Sequence, residues 1–125
     1  MKTRTMDNIA TEIVTIPRKF QTRDISIFDL LNETGYFELH NEVSEGDIRN
    51  ALARDPACVQ EWMRYIDDQR CASSWYFVIN DEGQYEVGFY DSDSDPTRTN
   101  QVVYENAMDA CAAFIKQQIE SIRTS

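Results

Sequence analysis

The sequence predicts an α+β fold with a helical N-terminal half, a small antiparallel sheet and a C-terminal amphipathic helix packed on that sheet. Capping residues start helices in the N-terminal half, stretches at 74–80 and 84–90 alternate apolar residues, and the C-terminal segment carries apolar residues at helical spacing. The 125 residues suffice for one domain, residues 1–125, whose core needs no disulfide or metal. Residues 1–8 are polar, and we expect them to be flexible.

Residues 12–17, with the sequence EIVTIP, are apolar and rich in β-branched side chains. This composition favours a strand. Pro17 would end it, because proline has no N–H to donate to a sheet. We therefore predict a short strand at this position.

Two helices are predicted from the residues that cap them. Ser26 stands three residues before Asp29, and Ser44 stands three residues before Asp47. At this spacing the serine side chain can accept a hydrogen bond from the first helical turn. Gly35 would end the first of these helices, because glycine is the usual residue after a helix C-terminus.

The segments on either side of the second helix are also predicted. Residues 36–40, YFELH, are expected to be a short extended segment or a loop. Asp55 and Pro56 break the helix that Ser44 starts and begin another, since aspartate caps helices and proline is tolerated in a first turn. The new helix then has apolar residues at helical spacing, namely Val59, Trp62, Met63 and Ile66.

The turn between the two alternating stretches determines how they pair. A two-residue loop of Asp81 and Glu82 would put the two apolar rows on opposite faces. A three-residue loop ending at Gly83 pairs Ile79 with Tyr85 and puts both rows on one face, and glycine supplies the left-handed residue that such a loop needs. We predict the three-residue loop and one apolar face made by Trp75, Phe77, Ile79, Tyr85, Val87 and Phe89.

The C-terminal part is predicted to contain a polar loop at 91–100, a third strand at 101–105 and a helix capped by Asn106. Residues 101–104 could form an exposed sheet edge through which two copies pair. The helix carries a continuous apolar stripe, which is expected to pack on the sheet. The stripe consists of Met108, Cys111, Ala112, Ile115, Ile119 and Ile122.

The chain is strongly acidic, with 12 Lys and Arg against 22 Asp and Glu, a formal net charge of −10. This charge repels nucleic acids and attracts basic proteins. Between Arg70 and Arg98 there is no Lys or Arg, although that segment holds six carboxylates. We predict a protein-binding surface here, with no nucleic-acid partner. Its charges would come from Glu82, Glu86, Asp91, Asp93 and Asp95, and its apolar anchor from Tyr90.

The expected compartment is the cytoplasm. The start of the chain, MKTRTMDN, lacks the apolar stretch of a signal peptide. No segment approaches the roughly 20 apolar residues of a membrane span, so we expect no membrane partner. The cysteines are odd in number and widely spaced, which favours reduced thiols over disulfides or a zinc site. They are Cys58, Cys71 and Cys111.

Patterns typical of catalysis or metal binding are incomplete in this sequence. The segment 91–96, DSDSDP, begins like a calcium-binding loop, but Pro96 stands where that loop needs glycine and Val102 where it needs glutamate. His40 is the only histidine, and no nucleophile motif accompanies it. An enzyme would need His40 or buried carboxylates to converge in one cleft. We expect no enzyme, no metal and no cofactor.

The order of the elements points to a family. A capped helical half is followed by the strand SWYFV, a glycine turn, the strand YEVGFYD, an acidic loop and the helix ENAMDACAAFIKQQIESI. This arrangement, mainly in residues 74–122, resembles bacterial immunity proteins, the small cytosolic antidotes of contact-dependent and other polymorphic toxin systems. The resemblance implies a protein that binds and blocks a cognate toxin domain, often a basic nuclease. It assigns no individual functional residue.

A second hypothesis is a small-molecule-binding or regulatory module. Trp62, Trp75 and Phe114 would then line a pocket between the helices and the sheet. A deep apolar pocket at that position would favour this hypothesis, whereas a filled core would count against it.

Overall fold

A computed structural model describes residues 6–22, 25–68, 73–91 and 97–124. The fold is α+β, as predicted, with helices in the N-terminal half, a three-stranded antiparallel sheet and a C-terminal helix packed against it. The strands are β1 (Ser73–Ile79), β2 (Tyr85–Asp91) and β3 (Thr97–Tyr104). The helices are α1 (Met6–Val14), α2 (Ile16–Thr22), α3 (Ile27–Glu33), α4 (Tyr36–Leu39), α5 (Glu45–Arg54), α6 (Ala57–Asp68) and α7 (Ala107–Thr124).

The capping residues are confirmed as helix starts. The Ser26 hydroxyl accepts a hydrogen bond of 3.1 Å from the backbone N–H of Asp29 at the start of α3. Ser44 and Asp47 form a reciprocal capping box at the start of α5, with each side chain accepting from the other residue's backbone N–H. The break at Asp55 is confirmed too, because α5 ends at Arg54 and α6 begins at Ala57.

The predicted strand at 12–17 is wrong, because these residues belong to α1 and α2. Ile9, Ile13 and Ile16 follow one another at helical spacing and are all buried in the core. The packing of this apolar face outweighs the β propensity of the individual side chains, which is a weak preference. Pro17 lies in the first turn of α2, where its missing N–H breaks no helical hydrogen bond.

Residues 36–40 are also not the predicted extended segment or loop, since residues 36–39 form the single-turn helix α4. Gly35 has a φ of 86°, a left-handed conformation that separates α3 from α4 without a long connection. This turn places Tyr36, whose side chain is fully buried, at the start of α4. The need to bury Tyr36 accounts for a helical turn that the short sequence does not signal.

The sheet has the strand order β1-β2-β3, and the hairpin has the predicted register. Ile79 pairs with Tyr85, Phe77 with Val87 and Trp75 with Phe89. The loop has three residues, as predicted, and Gly83 adopts a left-handed φ of 81°. The Asn80 side chain stabilises it, because its Oδ1 accepts hydrogen bonds from the backbone N–H groups of Glu82 and Gln84 at 3.0 and 2.9 Å.

The third strand is longer than predicted at its start. It begins at Thr97 instead of residue 101 and ends at Tyr104, so residues 97–100 are strand where a polar loop was expected. Residues 92–96 lie outside the described ranges. A β-bulge interrupts the pairing of β2 with β3 at Gly88, which stands opposite two residues of β3.

The core lies between α7, the sheet and the helices of the N-terminal half. Asn106 caps α7 as predicted, and its Oδ1 accepts from the backbone N–H of Met108 at 2.8 Å. The predicted stripe of α7 faces the core, and α7 packs on α5 as well as on the sheet. Trp62 is fully buried beside α7 and donates its indole N–H to the carbonyl of Val14 at 3.0 Å. Both α1 and α6 are therefore tied to the same core as the sheet.

We predict that Ser44→Ala lowers the free energy of unfolding by about 1 kcal/mol, because the first turn of α5 loses its side-chain cap. Chemical denaturation monitored by circular dichroism measures this change. Asn50→Ala is the matched control, since Asn50 is exposed within the same helix and alanine has the higher helix propensity. Equal destabilisation by the two substitutions would show that the capping box is not the cause.

Candidate partner-binding surface

The predicted partner-binding residues lie along one strand and its flanking loops. Glu82 is exposed in the turn before β2, and Glu86 is partly exposed within β2. Tyr90 and Asp91 are the last two residues of β2. Asp93 and Asp95 lie outside the described residues.

The structure separates these residues into two groups. Asp81 and Glu82 sit in the turn at one end of β2, whereas Asp91 is at the other end. A strand of seven residues is about 20 Å long. The acidic residues that are neighbours in the sequence therefore form two ends of a surface, with Glu86 between them, and not one compact patch.

Glu86 lies on the face of the sheet that points away from α7. The apolar row of Phe77 and Val87 faces α7 and belongs to the core, so the alternating residues Tyr76 and Glu86 face the other way. The hydroxyl of Tyr76 donates a hydrogen bond to the Glu86 carboxylate. Glu86 is therefore held in place by a diagonal neighbour on β1, and its charge is presented in a defined position.

Tyr76 is buried on this outer face. It pairs directly with Gly88, and its ring occupies the space that a side chain at position 88 would need. A Cβ atom added to Gly88 would lie 2.5 Å from the Tyr76 oxygen. Only 8% of Tyr76 is exposed, although it is not part of the main core cluster. The outer face is thus ordered by a Tyr–Gly pair in the sheet itself.

The hypothetical pocket lined by Trp62, Trp75 and Phe114 is not present, because these three side chains do not line a common cavity. Trp62 and Phe114 are fully buried and pack edge to face, with ring centroids 6.0 Å apart. That region is filled core. Trp75 alone of the three lines a groove, which has a volume of about 350 Å³.

This groove was not predicted from the sequence. Its walls come from five separate elements, which no local pattern could have brought together. Trp75, Val87, Val102 and Tyr104 form the sheet side, Ala113 and Gln117 of α7 face them, and Glu45 of α5 lies at the groove as well.

A partly buried polar network joins α4 to α7. The Tyr36 hydroxyl donates to Glu120 at 2.7 Å, and the Lys116 ammonium donates to the Tyr36 oxygen at 2.9 Å and to the carbonyl of Val43 at 2.7 Å. Arg123 donates to Glu120 at 2.7 Å. These hydrogen bonds make the network a structural clamp that fixes α7 against α4 and the turn after it.

Hydrogen bonds, burial and nearby charges shift the pKa values of Glu120, Lys116 and Tyr36. The hydrogen bond from Arg123 lowers the pKa of Glu120, with a further contribution from Tyr36. Burial lowers the pKa of Lys116, and burial together with the nearby Glu120 carboxylate raises the pKa of Tyr36. The Tyr36 hydroxyl bridges the two charged groups, because it accepts a hydrogen bond from Lys116 and donates one to Glu120.

His40 lies beside this network without joining it through its ring. Its backbone carbonyl accepts a hydrogen bond from Lys116 at 3.3 Å, and its ring centroid is 6.4 Å from that of Tyr36. No His–carboxylate pair involving His40 occurs among the residues that the structure describes. The His40 version of an enzyme therefore gains no geometric support.

The cysteines described by the structure are Cys58 and Cys111, both buried and free. Burial, followed by the nearby Asp55 carboxylate, raises the pKa of Cys58 to about 12. The thiol therefore stays protonated at neutral pH even though a guanidinium nitrogen of Arg18 lies 3.8 Å from its sulfur. Cys71 lies outside the described residues.

Within the described ranges, no three His, Cys, Asp or Glu residues are placed to hold a metal ion, and no helix is both long and apolar enough to cross a membrane. Comparison with models of known protein families, with curated proteins and with solved structures found no match.

We predict that Glu120→Gln flattens the loss of stability in acid. The pKa of Glu120 in the folded chain lies below its ordinary value of 4.5. Its contribution is therefore fully present above that value and is lost as the pH falls through the lowered pKa. Urea denaturation between about pH 5 and pH 3 should show a shallower pH dependence for the variant than for the parent chain. Exposed Glu38→Gln is the control, and an unchanged slope for Glu120→Gln would contradict the clamp.

We predict that Gly88→Ala destabilises the chain by about 1–3 kcal/mol, because the new methyl group displaces the Tyr76 ring from its place in the sheet. Gly46→Ala is the matched control, since its added Cβ meets nothing closer than 3.6 Å and alanine favours the helix. Thermal denaturation measures both. If Gly88→Ala were as stable as the parent chain, the Tyr76–Gly88 contact would not order the outer face.

Proposed function

We propose that this chain is an acidic, cytosolic protein-binding domain of the immunity type, which binds and neutralises a cognate toxin domain that is basic and nuclease-like. The observation that carries the proposal is the distribution of charge on the hairpin. Residues 71–97 contain six carboxylates and no Lys or Arg, and most of this segment forms β1, the turn and β2.

Such a surface suits a partner that itself binds nucleic acid. A nuclease concentrates positive charge where it holds the phosphate backbone, and a hairpin without cations can approach that site without local repulsion. Long-range attraction speeds the encounter and falls with added salt. In this proposal the chain acts by occupying the partner's surface and carries out no chemistry of its own.

The outer face of the hairpin supplies the ordered contacts that charge alone cannot provide. Tyr76 fixes the position of Glu86, and Val78 lies on the same face. Aromatic side chains contribute contact area at low entropic cost, and a carboxylate held by a hydrogen bond loses little freedom on binding. Tyr90, near the far end of β2, is proposed as the apolar anchor.

A second candidate function is a small-molecule-binding or regulatory module. The groove beside Trp75 favours it, since its volume of about 350 Å³ lies at the lower end of the range of ligand pockets. Trp62 and Phe114 pack against each other in the filled core, which counts against a deep pocket between the helices and the sheet. We therefore rank protein binding first.

The proposal is tested with the product of the gene directly upstream, expressed as an inactivated domain. Asp91→Asn, Asp93→Asn and Asp95→Asn are combined in one variant, and association is followed by stopped-flow fluorescence at low and high salt. The triple variant is expected to associate about tenfold more slowly at low salt, with the gap closing as salt screens the charges.

The matched control is a second triple variant, Asp29→Asn, Glu38→Gln and Glu42→Gln, which removes the same charge from exposed residues of the helical half. It is expected to change the rate about twofold or less. Equal slowing by both variants would mean that only net charge matters. An upstream product that does not bind, or is not a toxin, would overturn the proposed function.

A further inference from the structure

We infer that the outer edge of β3 is a docking site for an extended segment of another protein, one that alternates apolar and cationic side chains. The segment adds a fourth strand beside β3 and places its cationic side chains at the groove between the sheet and α7. This site adjoins the acidic hairpin surface where Val103 pairs with Glu86, and it does not depend on the partner being a toxin.

The edge of β3 has no strand beside it at residues 101–104, within the part of the chain that the structure describes. β3 is the last strand of the sheet and pairs only with β2 among the described residues, so its other side presents unpaired backbone N–H and C=O groups. Proteins usually protect such an edge with lysine, proline or a bulge. Residues 101–104, QVVY, contain neither lysine nor proline, and the bulge at Gly88 lies before Val102 along β3.

The valines of this edge are exposed on both faces of the sheet. Val102 pairs with Val87 on the side of α7, and Val103 pairs with Glu86 on the outer face. Their exposed fractions are 49% and 47%, high for β-branched residues in a strand. An added strand would cover both, because its own side chains alternate between the same two faces.

The groove explains why Val102 is exposed although it faces the helix layer. α7 packs more closely on β1 and β2 than on β3, which leaves the α7 side of β3 uncovered. The groove lies there, between Val102 and Tyr104 on one side and Gln117 of α7 on the other. A side chain from an added strand would point directly into it.

The charge at this groove selects a cation. Glu45 is exposed, lines the groove and forms no ion pair or hydrogen bond through its side chain within the described ranges. Arg49, the basic residue of the same helix face, is already paired with Asp109. Burial raises the pKa of Tyr104, and the charges of Glu45 and Asp109 raise it further. The aliphatic part of a lysine or arginine would cover Val102 while its charged end meets Glu45.

The same electrostatics disfavour a second copy of the chain. Each copy carries a formal charge of −10, so two copies repel each other. Pairing of two copies through β3 is therefore less favourable than binding of a cationic segment.

The first test is an NMR titration of the ¹⁵N-labelled chain with the capped peptide Val-Lys-Val-Lys-Val. Shifts are expected in residues 101–105, at Glu45 and Gln117 and at the Trp75 indole. The peptide Val-Glu-Val-Glu-Val should bind at least about tenfold more weakly, because its charges meet Glu45. Equal binding of the two peptides, or shifts confined to the β1 edge or the hairpin turn, would overturn the proposal.

Backbone pairing is tested with two modified peptides, one N-methylated on the lysines and one on the valines. A strand uses alternate residues to pair with each neighbour, so methylation of only one set blocks pairing with β3. One modified peptide is expected to bind like the parent and the other to lose binding. Loss by neither would rule out strand addition, and so would equal loss by both.

Substitutions on the chain locate the site. Val103→Lys is expected to weaken the lysine peptide about tenfold, and Glu45→Gln about threefold. The matched controls are Ile79→Lys, at a half-exposed residue on the opposite edge strand, and Glu42→Gln, at an exposed carboxylate. Equal effects of the controls would overturn the assignment. A dimer that is seen by sedimentation and dissociated by Val103→Lys would also overturn it, because the edge of β3 would then bind a second copy of the chain.

Discussion

The burial of α7 on both sides is the constraint on which the rest of the fold depends. Six consecutive residues, Ala110–Ile115, are all buried, and a single packing partner can cover only one side of a helix. The sheet therefore covers one side and α5 covers another, with Trp62 of α6 in contact with Phe114. Full burial of large side chains such as Phe114 and Ile115 contributes about 1.5–3 kcal/mol each. Most of the contact between the helical layer and the sheet runs through this helix, and α6 adds a smaller direct contact with β1.

The position of α7 also determines where the polar network and the groove lie. Its second half carries Lys116 and Glu120 to α4 and the turn after it, where Tyr36 contacts both side chains and a backbone carbonyl accepts from Lys116. These hydrogen bonds fix how the helix lies over the sheet. With that orientation α7 covers β1 and β2 better than β3, and the groove beside Val102 is the result.

The sequence predicted best what depends on a few neighbouring residues. The register of the hairpin followed from loop length and from Gly83, and the helix starts followed from Ser26, Ser44 and Asn106. The strand predicted at 12–17 failed because its apolar residues complete a helical pattern that begins earlier, at Ile9. A short window showed the β-branched composition and missed the longer period.

The candidate site was less predictable, because nearness in sequence and in space differ along a strand. The six carboxylates of residues 71–97 formed one group in the sequence, but β2 places Glu82 and Asp91 at its two ends. The groove could not be predicted, since Glu45, Trp75, Val102 and Gln117 meet only through packing. A partner that contacts both acidic ends must reach along all of β2, about 20 Å. An interface of ordinary size, about 800 Å² on each partner, is roughly 30 Å across. One partner protein can therefore contact both ends at once, whereas a small ligand cannot.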